Sequence, residues 1–577
     1  MIAAFLFLST AAVIWWQNSR VGVLWDLSYV LENSFRISLG DVPYRDFPFP
    51  YAPLSFLAQA AIIKLTGAVF WHHILYCAVI GGIGTILTWR ILLCLLVDVV
   101  PRTQVVAFLL VFPLIILGIY CIFPHPFYDP DCTFVILICI LLLLRLEQKG
   151  FPKWQTFIAG MLLTVPVFVK QNTGLAFLCS NAAGLLVLIG INAWRKNSVR
   201  GYFILIGGAV LGIGIAILLI HLTAGLDNYR LWTITFAAER RTPPLADMLS
   251  VYQDWNLVLW LVLFAAGSIL LKLNRAGKKL LIIVSVCLMT APFLWSVFYL
   301  LLDADASERA ERLMATWAFV IILSFAFALL SVKRQNGIKL VLPFILIGTI
   351  HGAFLSQQLW GSTYALWSLL IILIAGIIAS FIELFEGEIP GTALTASGII
   401  ALTLVISGGF YLYSNERLDY VDLSEGELVH SQLPQLEGLS VRGSWLPDFE
   451  ELVTYADKEI PKEDGILMLP GEDLFYYTTA RHPQFPVLMF DHTVNPYGTD
   501  EIIQQVELRG IRWVIIKNDL QLGEDPLEDK EHLIELLRQN FRHIESLNNY
   551  EIYRRKVPSD SEDEQDDSDD DGSDDSN

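Results

Sequence analysis

The feature that most constrains this chain is the recurrence of apolar runs of about 17 to 23 residues, the length a helix needs to cross a bilayer. They fall near 1–17, 74–97, 104–123, 132–146, 154–170, 174–193, 201–223, 256–272, 279–302, 313–332, 338–356, 362–383 and 393–413. Hydrocarbon offers no water to backbone N–H and C=O groups, so a run that crosses must be helical. The chain is therefore expected to be mainly α, a polytopic membrane protein with about 13 transmembrane helices. Of its 577 residues only 17% are charged and 54% are hydrophobic, against about 25% charged in an average soluble domain. Leu54 to Phe70 is also apolar but is interrupted by Lys64 and Gly67. It reads as a helix lying at the interface or re-entering.

Loop charges set the orientation. Arg102, then Arg145, Lys149 and Lys153, then Arg195, Lys196 and Arg200, then Lys272, Arg275, Lys278 and Lys279, then Lys333, Arg334 and Lys339 fall on alternate loops. These basic loops are placed in the cytoplasm. The opposite face receives the outer loops 18–73, 124–131, 224–255 and 303–312, which are dense in acids, aromatic rings and prolines. The N-terminal run lacks a basic start and a clear cleavage site, so a retained signal anchor is expected.

The chemistry changes near residue 415. The stretch from Ile460 reads as strand, turn and helix, that from Asp500 as helix, Gly stop and buried strand, and that from Glu531 as helix and paired strands. This alternation predicts a small extracytoplasmic α/β domain over 415–557, after a membrane domain over 1–414. Residues 558–577 form an acidic low-complexity tail, expected to be disordered, which carries much of the net charge of −19. The seven cysteines lie in or beside apolar runs and make no disulfide or zinc pattern. No concentrated basic patch exists, which excludes nucleic acid as a partner.

Several outer-face residues could carry chemistry. Asp26 opens the first outer loop beside Trp25, where it serves either as a site carboxylate or as a helix cap. Arg45 and Asp46 lie on a proline-stiffened loop, and Arg45 is suited to phosphate unless the two merely pair at the surface. Asp129 and Asp131 flank Pro130. In an extended segment both would point one way and suit a divalent cation or a sugar hydroxyl, while a helix start is the other reading. Lys170 ends an apolar run as a phosphate contact or a snorkelling lysine. Arg240 and Arg241 are adjacent on an outer loop, where they want an anionic partner, a substrate phosphate or a lipid headgroup. Glu472, His482, Asp491 and His492 match no metal-ligand spacing.

Taken together, Gly40–Phe47 (GDVPYRDF), the Asp129–Asp131 D-P-D, the K-Q-x-x-G of Lys170–Gly174 and a terminal soluble domain resemble the GT-C superfamily of integral membrane glycosyltransferases. The likeness is to bacterial relatives of the dolichyl-phosphate-mannose protein mannosyltransferases and of the lipid A aminoarabinose transferase. Leu27 follows Asp26 where the protein mannosyltransferases commonly carry an Asp-Glu pair. The resemblance implies a polyprenyl-phosphate sugar donor, a glycan, lipid or protein acceptor, surrounding membrane lipids, and residence in a bacterial plasma membrane. It implies Asp26 as the catalytic acid-base group. Arg45, Asp46, Lys170, Arg240 and Arg241 become donor-phosphate or substrate contacts, and Asp129 and Asp131 the ligands of a divalent cation, where one is used. A lipid-linked glycan polymerase or ligase, and a lipid-sugar flippase, are the competing readings.

Overall fold

A computed structural model describes residues 1–18, 24–241, 246, 249–274, 278–302, 309–355, 365–385, 391–413, 427–520 and 530–556. Much of the loop expected at 303–312, all of 386–390 and the acidic tail lie outside the described residues.

Every expected apolar stretch holds helix. In chain order the helices are α1 (Ile2–Asn18), α2 (Leu24–Leu39), α3 (Leu54–Thr66), α4 (Phe70–Leu96), α5 (Thr103–Val111), α6 (Leu114–Leu117), α7 (Tyr128–Gln148), α8 (Lys153–Leu162), α9 (Val165–Val169) and α10 (Gln171–Trp194). There follow α11 (Arg200–Thr223), α12 (Leu226–Arg230), a π-helical turn (Leu231–Phe236), α13 (Ala237–Arg240), α14 (Asn256–Leu273), α15 (Lys279–Met289), α16 (Ala291–Leu302), α17 (Arg309–Ser331), α18 (Ile338–Phe354), α19 (Trp367–Leu384) and α20 (Thr392–Tyr413).

Six of these, α4, α10, α11, α14, α19 and α20, are long and apolar enough to cross a membrane, which makes this an integral membrane protein. The α15–α16 pair makes a seventh if counted as one span, bent by 75°. Other stretches are broken by their own residues. Pro113 precedes α6, and Pro166 lies in the first turn of α9, where its missing N–H costs nothing. α19 is the centre of the bundle, with 72% of its span buried, and α11 is the edge, with 11%. The 13-residue α3 is only about 20 Å long.

Glycine lets α4 approach its neighbours. A Cβ on Gly81 would meet Ile14 Cδ1 at 2.3 Å and the Ile119 carbonyl oxygen at 2.5 Å. Of the pair Gly207–Gly208 only the second is so constrained, 2.1 Å from the Phe157 oxygen, while Gly207 faces open space.

After residue 427 the chain builds sheets. β1 (Leu428–His430) and β2 (Ser440–Arg442) pair antiparallel. A four-stranded sheet has the order β3-β4-β6-β5, from β3 (Gly465–Leu469), β4 (Ile511–Lys517), β5 (Phe541–Ser546) and β6 (Tyr550–Arg555). β3 and β4 are parallel and β6 is antiparallel to both its neighbours. GILML is buried throughout, as a strand covered on both faces must be. Gly510, at φ +61°, makes the stop between helix and β4. Lys517 ends β4 in the interior, 2.5 Å from Glu472 and 2.9 Å from Asp473. Burial opposes its charge, but the two carboxylates win and its pKa stands above the ordinary lysine value.

This unit is fastened to the first outer segment. Arg36 Nη1 donates to the carbonyls of Phe485 (3.1 Å) and Pro486 (2.9 Å), while its Nε holds Asp41 at 2.6 Å. Both Glu32 carboxyl oxygens lie 3.2 Å from the Tyr477 N–H. Asn18 donates to the Gly438 carbonyl. Burial raises the Glu32 pKa well above the carboxylate range, despite the N–H groups of Tyr477 and Tyr476 that favour the anion. The folded state thus holds this proton more tightly than the unfolded chain, and stability from Glu32 falls as pH climbs above the unfolded value of about 4.3. Glu32→Gln is expected to gain on wild type as pH rises, with the difference in thermal unfolding temperature in detergent larger at pH 8 than at pH 4. A gap that does not change with pH would show that Glu32 carries no such linkage.

Candidate active site

The first outer segment turns back on itself through its own side chains. Tyr44, at φ +71°, donates from its hydroxyl to the Tyr51 carbonyl at 2.7 Å. Asp46 Oδ2 accepts the Val42 N–H at 2.7 Å, and Arg45 pairs with Asp46 at 2.8 Å. Asp46 is thus a brace for the loop, and Arg45 points outward with half its side chain exposed. The brace turns Pro50 and Tyr51 toward Trp25 and Asp26, in the first turn of α2, and all four line one cavity of about 720 Å³.

From the opposite side come Tyr128 and Asp129, in the first turn of α7. The extended reading of the D-P-D does not hold. Asp129 and Asp131 both begin a helix, where residues two apart point to nearly opposite sides. Asp129 reaches the cavity and pairs with Lys170. Asp131 turns away and accepts from Tyr76 at 2.8 Å and Tyr120 at 2.6 Å. The two carboxylates do not converge on a cation. Among the described residues no three His, Cys, Asp or Glu side chains gather so as to hold a metal ion. With Asp129 already neutralised by a lysine, this donor set does not fit a divalent cation.

Lys170 is extended between α9 and α10 and only 6% exposed, so it does not snorkel to a surface. Gln171 donates to the Pro50 carbonyl at 3.1 Å and Asn172 to that of Leu355 at 2.7 Å. These bonds tie α10 to the outer loop and to the end of α18.

The third wall is the segment after α11. Arg241 lies with its guanidinium carbon 3.9 Å from the centre of the Tyr51 ring, and its buried Nη1 has no hydrogen-bond partner among the described residues. Burial works against its charge, but the Tyr51 and Tyr128 oxygens outweigh this and its pKa stands above the ordinary guanidinium value. Arg240 faces the other way and donates to the carbonyls of His492 (3.3 Å) and Asn495 (3.0 Å). Asp491 and Thr493, from the C-terminal unit, complete the lining. Apolar side chains of Leu175, Ile217, Ile220 and Ile234 make the remaining flank.

The structure therefore brings together Asp26, Asp129, Lys170 and Arg241 in one cavity, and leaves Arg45, Asp46, Asp131 and Arg240 outside its lining. Sequence reasoning did not select Asp491. Its one local signal is a D-x-T turn, in which Asp491 Oδ1 accepts the Thr493 N–H at 2.7 Å.

The chain is similar to several solved structures. ArnT from Cupriavidus metallidurans bound to undecaprenyl phosphate matches with a TM-score of 0.47 and 12% identity, over 96% of this chain and 98% of that one. The oligosaccharyltransferase of Archaeoglobus fulgidus in complex with Zn and sulfate gives 0.44 and 9%, over 90% and 68%. The archaeal oligosaccharyltransferase AglB from the same organism, with an inhibitory peptide and a dolichol-phosphate, gives 0.44 and 10%, over 89% and 69%. No family model and no curated protein matches the chain.

Removing Lys170 alone leaves Asp129 a buried, unpaired carboxylate. Lys170→Met is expected to cost about 3–5 kcal/mol of stability. Adding Asp129→Asn should restore much of that loss. Thermal unfolding of both single variants and the double variant in detergent measures the coupling, and simple additivity would mean that the pair is not formed.

Proposed function

We propose that this chain is a membrane glycosyltransferase that moves a sugar from a polyprenyl-phosphate carrier to a hydroxyl of a cell-envelope acceptor, a glycan, lipid or protein. The reading places it in a bacterial plasma membrane with about 13 spans, the shorter and broken helices being counted with the long ones. The C-terminal unit then lies outside the cytoplasm. The observation that carries the reading is the division of one cavity into two chemistries. Asp26, Lys170 and Arg241 line its polar side, and Leu175, Ile217, Ile220 and Ile234 its apolar flank. A molecule with an anionic, hydroxyl-bearing head and a hydrocarbon tail matches both.

In this mechanism Asp26 is the general base. It takes the proton of the acceptor hydroxyl as the oxygen attacks the anomeric carbon opposite the phosphate, so one displacement inverts that centre. The departing phosphate gains negative charge, which Arg241 stabilises through a donor fixed before the reaction begins. Lys170, whose charge is shared with Asp129, orders that wall and contributes less to the phosphate. The roles suggested for Arg45, Asp46 and Arg240 at the phosphate are dropped, because these residues lie outside the cavity lining.

Asp26→Asn is expected to lower transfer about 100-fold or more, and Arg241→Ala to weaken binding of the lipid phosphate. The assay uses purified protein in nanodiscs with labelled polyprenyl-phosphate sugars and envelope acceptors. Transfer by the Asp26 variant close to wild type would refute its role. Movement of the lipid sugar across vesicles without transfer would make the protein a flippase instead.

A further inference from the structure

We propose that Asp491, with Thr493 beside it, recognises hydroxyls of the sugar on the donor, and that Arg240 is the positioning residue that holds them over the cavity. The proposal rests on the reading of the cavity as a site for a lipid-phosphate-linked sugar.

The turn that carries the two residues is built by its own bonds. Asp491 Oδ1 accepts the Thr493 N–H at 2.7 Å, and the Asp491 carbonyl accepts the N–H groups of Val494 at 3.0 Å and Asn495 at 2.7 Å. The Asn495 side chain closes the far end, bonding the Tyr497 N–H and C=O at 3.0 Å each. Val494 of this turn packs into the apolar core of the membrane part, and Arg240 adds two bonds, to the carbonyls of His492 and Asn495, from the segment that also carries Arg241. Two consecutive arginines thus clamp the site from opposite sides. Arg240 grips the roof, and Arg241 stacks on the floor at Tyr51.

The placement selects the sugar rather than the tail or the phosphate. Arg241 lies over the Tyr51 ring, and Tyr51, Asp26 and Asp491 line the same cavity. A phosphate on Arg241 has its sugar bonded directly to it, which brings that sugar to the same ring. A second anion would be repelled from Asp491, whereas hydroxyl donors suit it. One of its oxygens is engaged by the Thr493 N–H and the other lies 3.8 Å from His492 Nδ1, while Thr493 lines the same cavity. A carboxylate so placed accepts from a hydroxyl of the ring with the strength of a charge-assisted hydrogen bond. A site built this way rejects an analogue that lacks the hydroxyl.

The test is equilibrium binding to the full-length protein in nanodiscs. The probes are polyprenyl phosphate alone, a panel of polyprenyl-phosphate hexoses and pentoses, and deoxy analogues of the one bound best. Wild type is expected to bind at least one glycosylated lipid about tenfold or more tighter than the bare phosphate. Asp491→Asn keeps the acceptor for the Thr493 N–H. It should erase that gain and the discrimination against the matching deoxy analogue, yet bind bare polyprenyl phosphate at least as tightly as wild type does. Arg240→Ala should lose part of the gain, and Arg240→Lys should recover it. Thr493→Val, which keeps the backbone N–H, gives a second reading of the same increment should the Asp491 variant not fold. The proposal is overturned if the Asp491 variant keeps the sugar's gain, or if no sugar in the panel adds affinity. Failure of wild type to bind even the bare lipid phosphate would instead remove the functional reading, and this proposal with it.

Discussion

Next to a bilayer a charge must either reach water or be matched, and that constraint arranges the end of this protein that holds the cavity. Lys170 and Asp129 are both buried, and each is tolerable only because the other is present. Asp131, also buried, is met by two tyrosine hydroxyls. Arg36 is matched by Asp41 and by two carbonyls of the C-terminal unit. The cavity is lined by the Lys170–Asp129 pair together with Asp26, Asp491 and Arg241, whose Nη1 has no hydrogen-bond partner among the described residues.

The same constraint explains how much was legible in the sequence. Apolar runs had to be helices, because no other backbone is satisfied in hydrocarbon, and each of them is. The continuous apolar strands GILML and IRWVIIK, with glycine stops beside them, announced the central sheet in the same way. Glu32 and Asp41 carry structural contacts. Periodicity speaks to which groups need covering, and so it reads well wherever covering decides the structure.

It reads poorly where two distant segments meet. The D-P-D of 129–131 looked extended because a residue before proline avoids the helical region. In the first helical turn, however, proline's missing N–H has no partner to lose, and the helix takes both aspartates. Their divergence followed at once, and Asp129 and Asp131 do not face one shared cation. Arg240 and Arg241 are indistinguishable in sequence, yet Arg240 ends α13 and Arg241 follows it with non-helical backbone, at φ −125° and ψ −12°. One guanidinium lies over Tyr51 in the cavity and the other bonds the roof.

Asp491 shows why the site needed the whole chain. It belongs to the C-terminal unit, more than 400 positions from Asp26, and no local spacing could have joined them. What joins them is the docking of that unit onto α2 by Glu32 and Arg36, nearly two and nearly three turns along the helix whose first turn holds Asp26. The helix is rigid, so the seat of the C-terminal unit and the place of Asp26 are fixed to each other through a single element. Any shift of the roof on α2 would move Asp491 relative to Asp26 by the same amount. The buried contacts at Glu32 and Arg36 therefore belong to the geometry of the site as much as to the stability of the fold.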